Sequence, residues 1–240
     1  MASEKNQRPV AVVVGVGPGL GAALAHRFSK EYAVAIVARR ADYLKKLAGE
    51  IRTGGATILE VAADVADAGQ IAAGFEQIEA DLGPVEMMLY NAGSGTWGGV
   101  TEITPAQFES TWRTNAMGAF LCVKQVVDLM IARGHGTMIF TGATAGMKAG
   151  PRSAAFGPAK FALRGLAQSM ARDLGPKGIH CAWVNIDGAI DIPGRQRAVQ
   201  LTADQMLKPA AIAETYWHLA HQDRSAWTME LEVRPFTEKF

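Results

Sequence analysis

Six short runs in this chain are almost unbroken in apolar residues, and they narrow its possible folds more than any other feature. They are "PVAVVVG" at 9–15, "YAVAIVAR" at 32–39, "ATILEVAAD" at 56–64, "PVEMMLYNAG" at 84–93, "GTMIFTG" at 136–142 and "GIHCAWVN" at 178–185. A strand with one wet face alternates polar and apolar residues, whereas a continuous run suits a parallel strand covered on both sides. Between the runs, Gly19–Lys30, Asp42–Thr53, Ala68–Leu82, Pro105–Arg133 and Ser153–Leu174 have helical length and periodicity. Several stop at glycine or Gly-Pro, as in "DLGPV", "RGHG" and "DLGPKG". Strand–helix alternation of this kind demands right-handed crossovers and predicts a doubly wound α/β fold with a parallel sheet and helices on both faces. The tail at 224–236 alternates in places like a last strand, with Trp227 and Phe236 as anchors, which brings the sheet to about seven strands. No linker, repeat or low-complexity segment divides residues 1–240, so a single domain is expected.

Charge removes some function classes. Lys+Arg number 24 against 23 Asp+Glu, and no basic block stands out, which argues against nucleic acid or an anionic membrane as main partner. Apolar runs such as Val10–Val16 are too short to span a bilayer, and Met1–Pro9 is polar rather than signal-like. A cytoplasmic location is expected. Cys122 and Cys181 lack metal-ligand spacing and read as reduced core residues, with no metal site implied.

The segment 14–21, "VGVGPGLG", follows the first run and opens the first helical stretch. Glycine at a strand-to-helix turn lets backbone N–H groups approach a pyrophosphate, and the helix N-terminus favours negative charge. Gly15, Gly19, Leu20 and Gly21 are therefore candidate cofactor ligands. An acidic residue ending the second strand would accept the ribose 2′-OH; here Ala38 is followed by Arg39 and Arg40, which suit a 2′-phosphate. That favours NADP(H) over NAD(H), the alternative being two solvated arginines at a helix start.

With these residues in place, the chain resembles the short-chain dehydrogenase/reductase family in its single-domain, Rossmann-type form. Gly15, Gly19 and Gly21 match its glycine loop, with Val14 where a threonine is usual. Asp64 and Val65 match the pair whose acid meets the adenine amino group, and Asn91-Ala92-Gly93 matches the tripeptide after the fourth strand. Asn115 matches the helix asparagine that holds a proton-relay water, and Lys160 the lysine that binds the nicotinamide ribose. The resemblance also places Gly188 and Ile190 against the cofactor. It implies an oxidoreductase moving hydride between nicotinamide and a carbonyl, hydroxyl or enoyl substrate, built as a homodimer or homotetramer.

The family's proton chemistry is where the resemblance breaks. Its tyrosine, four residues before the lysine, protonates the substrate oxygen; its serine, about a dozen residues upstream, holds that oxygen. Here those positions are Phe156 and Ala143. Thr144, next to Ala143, would substitute only if the loop shifts register. The resemblance puts proline at Asp187 and threonine at Ile192; a desolvated Asp187 would rise in pKa and become a donor, or else it stabilises an Asp-Gly turn. Of Tyr32, Tyr43, Tyr90 and Tyr216, only Tyr90 is expected near the cofactor edge, as packing. Ser153 is a further oxygen-holding candidate. The loops at 94–97, 147–152 and 195–197 would line the substrate mouth, where Lys148, Arg152, Arg195 and Arg197 either attract an anionic small molecule or are merely solvated. Two functions compete: an NADP(H)-dependent oxidoreductase with a non-standard proton donor, and a catalytically impaired NADP(H)-binding sensor or assembly subunit.

Overall fold

The structure, a computed structural model, describes residues 8–196 and 199–238. All six apolar runs form strands: β1 (Val10–Val14), β2 (Ala33–Ala38), β3 (Ile58–Ala62), β4 (Val85–Tyr90), β5 (Gly136–Thr141) and β6 (Ile179–Ile186). Two short strands, β7 (Ala189–Ile190) and β8 (Met206–Leu207), pair beside the sheet, and β9 (Glu230–Val233) closes its edge as the tail pattern predicted. The sheet has seven parallel strands in the order β3-β2-β1-β4-β5-β6-β9.

The unbroken apolar runs are explained by what covers them. Val10, Val12 and Val14 point to one side, where α3 (Ala68–Leu82), α5 (Gly118–Arg133) and α6 (Phe156–Leu174) bury Phe75, Met130 and Leu163. Ala11 and Val13 point to the other, under α1 (Leu20–Phe28), α2 (Ala41–Arg52) and α7 (Pro209–Ala220). Both strand faces thus contribute apolar burial, roughly 1.5–3 kcal/mol for each large aliphatic side chain. The chain leaves β1 toward β2 and returns on its other side at β4. At that reversal the loops after β1 and β4 part and open a crevice at the strand carboxyl ends.

Two departures from the sequence expectation shape the crevice. The stretch 105–133 is not one regular helix: α4 (Pro105–Trp112) passes through a π-helical turn, Arg113–Met117, into α5. The wide turn is stabilised by Tyr90, whose hydroxyl donates to the Thr114 carbonyl at 2.6 Å, and by Asn115, whose Nδ2 donates to the Thr111 carbonyl at 2.9 Å. Such turns place a side chain where a regular helix would not. By length and composition alone, 105–133 is also apolar enough to cross a bilayer, contrary to the expectation of only short apolar runs; here Cys122, Val126 and Met130 face the core.

The second departure is α7, which the strand–helix reading did not assign. It starts with Pro209 at its first turn and buries Ile212, Ala213, Tyr216 and Leu219 on one face. Tyr216 is fully buried, and its hydroxyl lies 2.8 Å from Thr141 Oγ1 at the end of β5. Replacing Tyr216→Phe is expected to cost about 1 kcal/mol in urea unfolding, the net value of one buried hydrogen bond; an unchanged midpoint would mean that the contact does not contribute.

Candidate active site

The glycine loop after β1 is held by close backbone approach. Gly15 has φ +89°, and a Cβ there would sit 2.2 Å from the Ala92 nitrogen, so any larger residue would force the β1 and β4 loops apart. A Cβ on Gly21 would meet the Gly15 carbonyl at 2.7 Å. No side chain caps α1, and no acidic residue occupies its first turn. Its leading N–H groups therefore face the crevice without a competing anion, as a pyrophosphate requires.

Two cavities share Asn91, Gly93 and Ile190 as walls and so form one cleft. The first, about 360 Å³, is lined by Gly15, Gly19, Leu20, Gly21, Arg39, Arg40, Asp64, Val65, Asn91, Ala92, Gly93 and Ile190, together with Ile192. The second, about 510 Å³, takes in Ala143, Thr144, Phe156, Lys160 and Gly188, with Trp97, Thr141 and Arg195. Asn115 and Asp187 belong to neither lining; each stands behind it, Asn115 fully buried and Asp187 nearly so.

Thr141 joins the two halves. Asn91 Nδ2 donates to the Gly15 carbonyl at 2.8 Å, and Thr141 Oγ1 donates to Asn91 Oδ1 at 3.2 Å. A threonine hydroxyl has one proton, so the Tyr216 hydroxyl must be the donor in its contact with Thr141. Burial pushes the Tyr216 phenol well above its usual value, which leaves it a structural donor. Sequence reasoning missed Thr141 and Tyr216. The apolar spacing of residues 212, 213, 216 and 219 was the available signal for α7, whereas nothing local says that its face meets β5.

Lys160, only 4% exposed, donates from Nζ to the Thr141 carbonyl at 2.9 Å and lies 5.7 Å from the centre of the Phe156 ring. No carboxylate pairs with it among the described residues, and burial lowers its pKa to about 8. A Cβ on Gly93 would lie 3.3 Å from Asn115 Oδ1 and 3.5 Å from Lys160 Nζ, so these groups converge on the same backbone. Asn115 Nδ2 is used by the Ser94 and Thr111 carbonyls, while Oδ1 has no hydrogen-bond partner among the described residues.

Asp187 corrects an expectation. Burial alone would raise its pKa, but a hydrogen bond from Thr144 at 2.5 Å, a hydrogen bond from Arg234 and the charges of Arg234 and Lys148 together lower it. It is an ionised carboxylate in an ion pair, not the replacement acid. Arg234 follows β9 and also reaches Glu232, which accepts from Asn185 Nδ2 at 2.7 Å, so the pair fastens the chain end to the loop after β6. Thr144 is corrected too: it lines the cavity, but its single proton is committed to Asp187. Ser153 is buried and donates to the Gly150 carbonyl at 2.7 Å, outside the cavity lining.

Of the described basic loop residues, Arg152 is paired with Glu102 at 2.8 Å, and Arg195 lines the second cavity, which Lys148 and Arg152 do not. Arg197 lies outside the described residues. Arg39 is exposed at the rim of the first cavity, 3.9 Å from Asp64. Phe156 packs with its ring centroid 5.0 Å from that of Trp97, making an aromatic wall where the expected tyrosine would stand.

These environments set signs for two measurements. Asp187 is held below its ordinary 3.8, so its charge contributes stability that is fully present above that value and is lost as pH falls through the lowered one. Asp187→Asn is expected to lose roughly 1.5–3 kcal/mol at pH 7, and the gap to the parent should shrink in acid; a gap independent of pH would refute the ionised pair. Lys160 is depressed from 10.5 to about 8, so its charge costs stability below that value. The cost fades as pH rises toward 10.5. Between pH 7 and pH 10.5, the stability of Lys160→Met relative to the parent is expected to fall by about 3 kcal/mol, read by denaturant unfolding; parallel curves would contradict the burial.

The profile of the short chain dehydrogenase family matches residues 9–198. A versicolorin reductase from Emericella nidulans is 30% identical over 185 residues, which cover 75% of this chain and 69% of that protein. The sorbitol-6-phosphate 2-dehydrogenase of Escherichia coli is 28% identical over 86% of this chain and 82% of its own. Among solved structures, a short-chain dehydrogenase from Rhodopseudomonas palustris superposes with TM-score 0.83 at 34% identity, covering 95% of this chain and 99% of that one. A metagenomic short-chain oxidoreductase in complex with NADP gives TM-score 0.82 at 28% identity, covering 95% and 98%. A parallel sheet in this order, a cleft at its switch point and a match running from β1 past β7 lead to one conclusion: the chain belongs to the short-chain dehydrogenase family.

Proposed function

We propose that the protein is an NADP(H)-dependent oxidoreductase acting on a small molecule bearing a carbonyl or its reduced counterpart. The observation that carries this reading is the single cleft running from Arg39 and Arg40 to Lys160. The chemistry of the walls fits a phosphorylated dinucleotide: bare glycine backbone and an uncapped helix at one point, two arginines at another, a buried lysine at the far end. Gly15, Gly19, Leu20 and Gly21 would hold the pyrophosphate, Arg39 and Arg40 the 2′-phosphate, Asp64 and Val65 the adenine, and Lys160 the nicotinamide ribose. Gly93, Gly188 and Ile190 would flank the nicotinamide. When bound in reduced form, the dinucleotide supplies hydride.

The residues of the chain supply binding, orientation and water exclusion. Asn91 and Thr141 hold the two loops in register, and Lys160 offers a positive charge to developing negative charge on substrate. The names of relatives support the reading: the chain resembles reductases and dehydrogenases of hydroxyl- and carbonyl-bearing compounds, and a similar structure holds NADP. Ala143 and Phe156 favour a second reading, a catalytically impaired NADP(H)-binding sensor or assembly subunit, which predicts the same cofactor affinity without turnover. We also infer a homodimer or homotetramer, supported by the half-exposed Phe108 of α4, Phe120 of α5 and Phe161 of α6, and a cytoplasmic location.

Calorimetry tests the cofactor assignment. NADPH is expected to bind at least about tenfold more tightly than NADH, a difference near 1.4 kcal/mol. Arg39→Ala should reduce that ratio to roughly threefold or less and leave NADH affinity unchanged. The contribution is modest because Arg39 is largely exposed and screened by salt. Equal affinities in the parent would remove the NADP(H) preference, and no binding of either would remove the oxidoreductase reading altogether.

A further inference from the structure

Resting on the oxidoreductase reading, we propose that the substrate is a planar quinone, reduced in two electrons to the hydroquinone. The argument starts from where the protons are. Among the described residues of the substrate cavity, no side-chain hydroxyl has a proton to give to a substrate oxygen. Ala143 and Phe156 carry none, and the Thr144 proton is held by Asp187 at 2.5 Å. Asp187 is ionised beside Arg234, and Thr141 donates to Asn91. Tyr216 lies fully buried behind Thr141.

Hydride addition to a saturated ketone leaves a localised alkoxide, whose conjugate acid is about as weak as water and far weaker than a phenol. Hydride reduction of a quinone leaves a phenolate-type anion, whose conjugate acid has a pKa of about 10. With its product anion so much less basic, a quinone depends far less on a positioned general acid, which typically contributes about 10²–10⁴ in rate. A quinone therefore asks far less of the acidic group left in the wall, the Lys160 ammonium, than a saturated ketone would.

The cavity also suits the anion. Lys160 is a buried cation whose neighbours include a carbonyl and an aromatic ring, with no carboxylate paired to it among the described residues. In such a low-dielectric wall a cation interacts more strongly with a substrate anion than it would in water. Opposite charge brought to it relieves the cost of its burial. The shape is aromatic: Phe156 and Trp97 pack at 47° with centroids 5.0 Å apart, and Trp97 remains 61% exposed at the rim, leaving a ring face for a flat ligand. Ala143 and Ala145 keep the remaining wall small and apolar.

The balance closes with the reduced dinucleotide as the only reductant. The quinone takes up hydride on one carbonyl oxygen, that C=O π bond breaks, and the electron pair passes through the ring to the second oxygen. The hydroquinone monoanion then takes one proton from the Lys160 ammonium, which solvent restores, and the dinucleotide departs oxidised.

The test follows NADPH oxidation with 9,10-phenanthrenequinone and 1,4-naphthoquinone against cyclohexanone and 2-octanone, corrected for the uncatalysed rate. The quinones are expected to exceed the saturated ketones by about 10³-fold or more in kcat/KM. Trp97→Ala, at an exposed position, should raise quinone KM roughly tenfold with NADPH affinity unchanged. Independently of turnover, calorimetry with NADP⁺ present should show that 1-naphthol binds and that Trp97→Ala weakens it by a similar factor. Combining Ala143→Ser with Phe156→Tyr should raise activity on the saturated ketones about 10²-fold. Saturated ketones reduced as efficiently as quinones, no loss of quinone or naphthol binding in Trp97→Ala, or NADPH binding without quinone turnover would each overturn the substrate assignment alone. Failure to bind NADPH would overturn the oxidoreductase reading with it.

Discussion

Thr141 occupies the end of β5, and the working half of the molecule is built around its two oxygens. Its carbonyl accepts the Lys160 ammonium; its hydroxyl accepts from Tyr216 and donates to Asn91, which in turn holds the Gly15 carbonyl. One residue thus ties α6, α7, β4 and the glycine loop to a single point. Because Thr141, Lys160 and Tyr216 are buried, leaving one of them unpaired would cost more than its bond contributes. The cleft inherits its rigidity from that junction.

Lys160 is the group for which this rigidity matters most. A lysine desolvated without a carboxylate destabilises the fold, and the cost is tolerable only where the charge has a use. Phe156 beside it contributes a ring face but no hydroxyl, and Asp187 is neutralised by Arg234 rather than by the lysine. The site therefore presents a fixed positive charge next to apolar walls. Compared with a site containing a phenol and a serine, it offers a buried cation in place of hydroxyl donors.

The Asp187–Arg234 pair shows how a loop substitution reaches across the molecule. Asp187 ends β6 with its backbone nitrogen on the Val233 carbonyl, and its carboxylate receives the arginine that follows β9. The same carboxylate takes the Thr144 proton. Strand edge, chain end and cavity wall are joined through one side chain, which is why Thr144 faces the cavity as an acceptor. Local sequence suggests only an Asp-Gly turn here; the partner lies 47 residues away.

Much of the architecture was legible in the chain because its signals are local. Continuous apolar runs mark strands covered on both faces, and glycine at the first turn marks where backbone must approach backbone; both follow from the residues themselves. The residues from Gly15 to Gly93 that line the first cavity were grouped from the chain for the same reason. The π-helical turn at Asn115, the α7 contact through Tyr216 and the charge state of Asp187 were not. Each depends on a partner distant in sequence: the Tyr90 hydroxyl for the turn, the end of β5 for Tyr216, Arg234 for the carboxylate. The sequence by itself determined the parallel sheet, the glycine loop after β1 and the absence of hydroxyls at residues 143 and 156. Only the tertiary structure decided which remaining protons are free and which charges are paired, because protonation depends on burial and on neighbours that folding alone brings together.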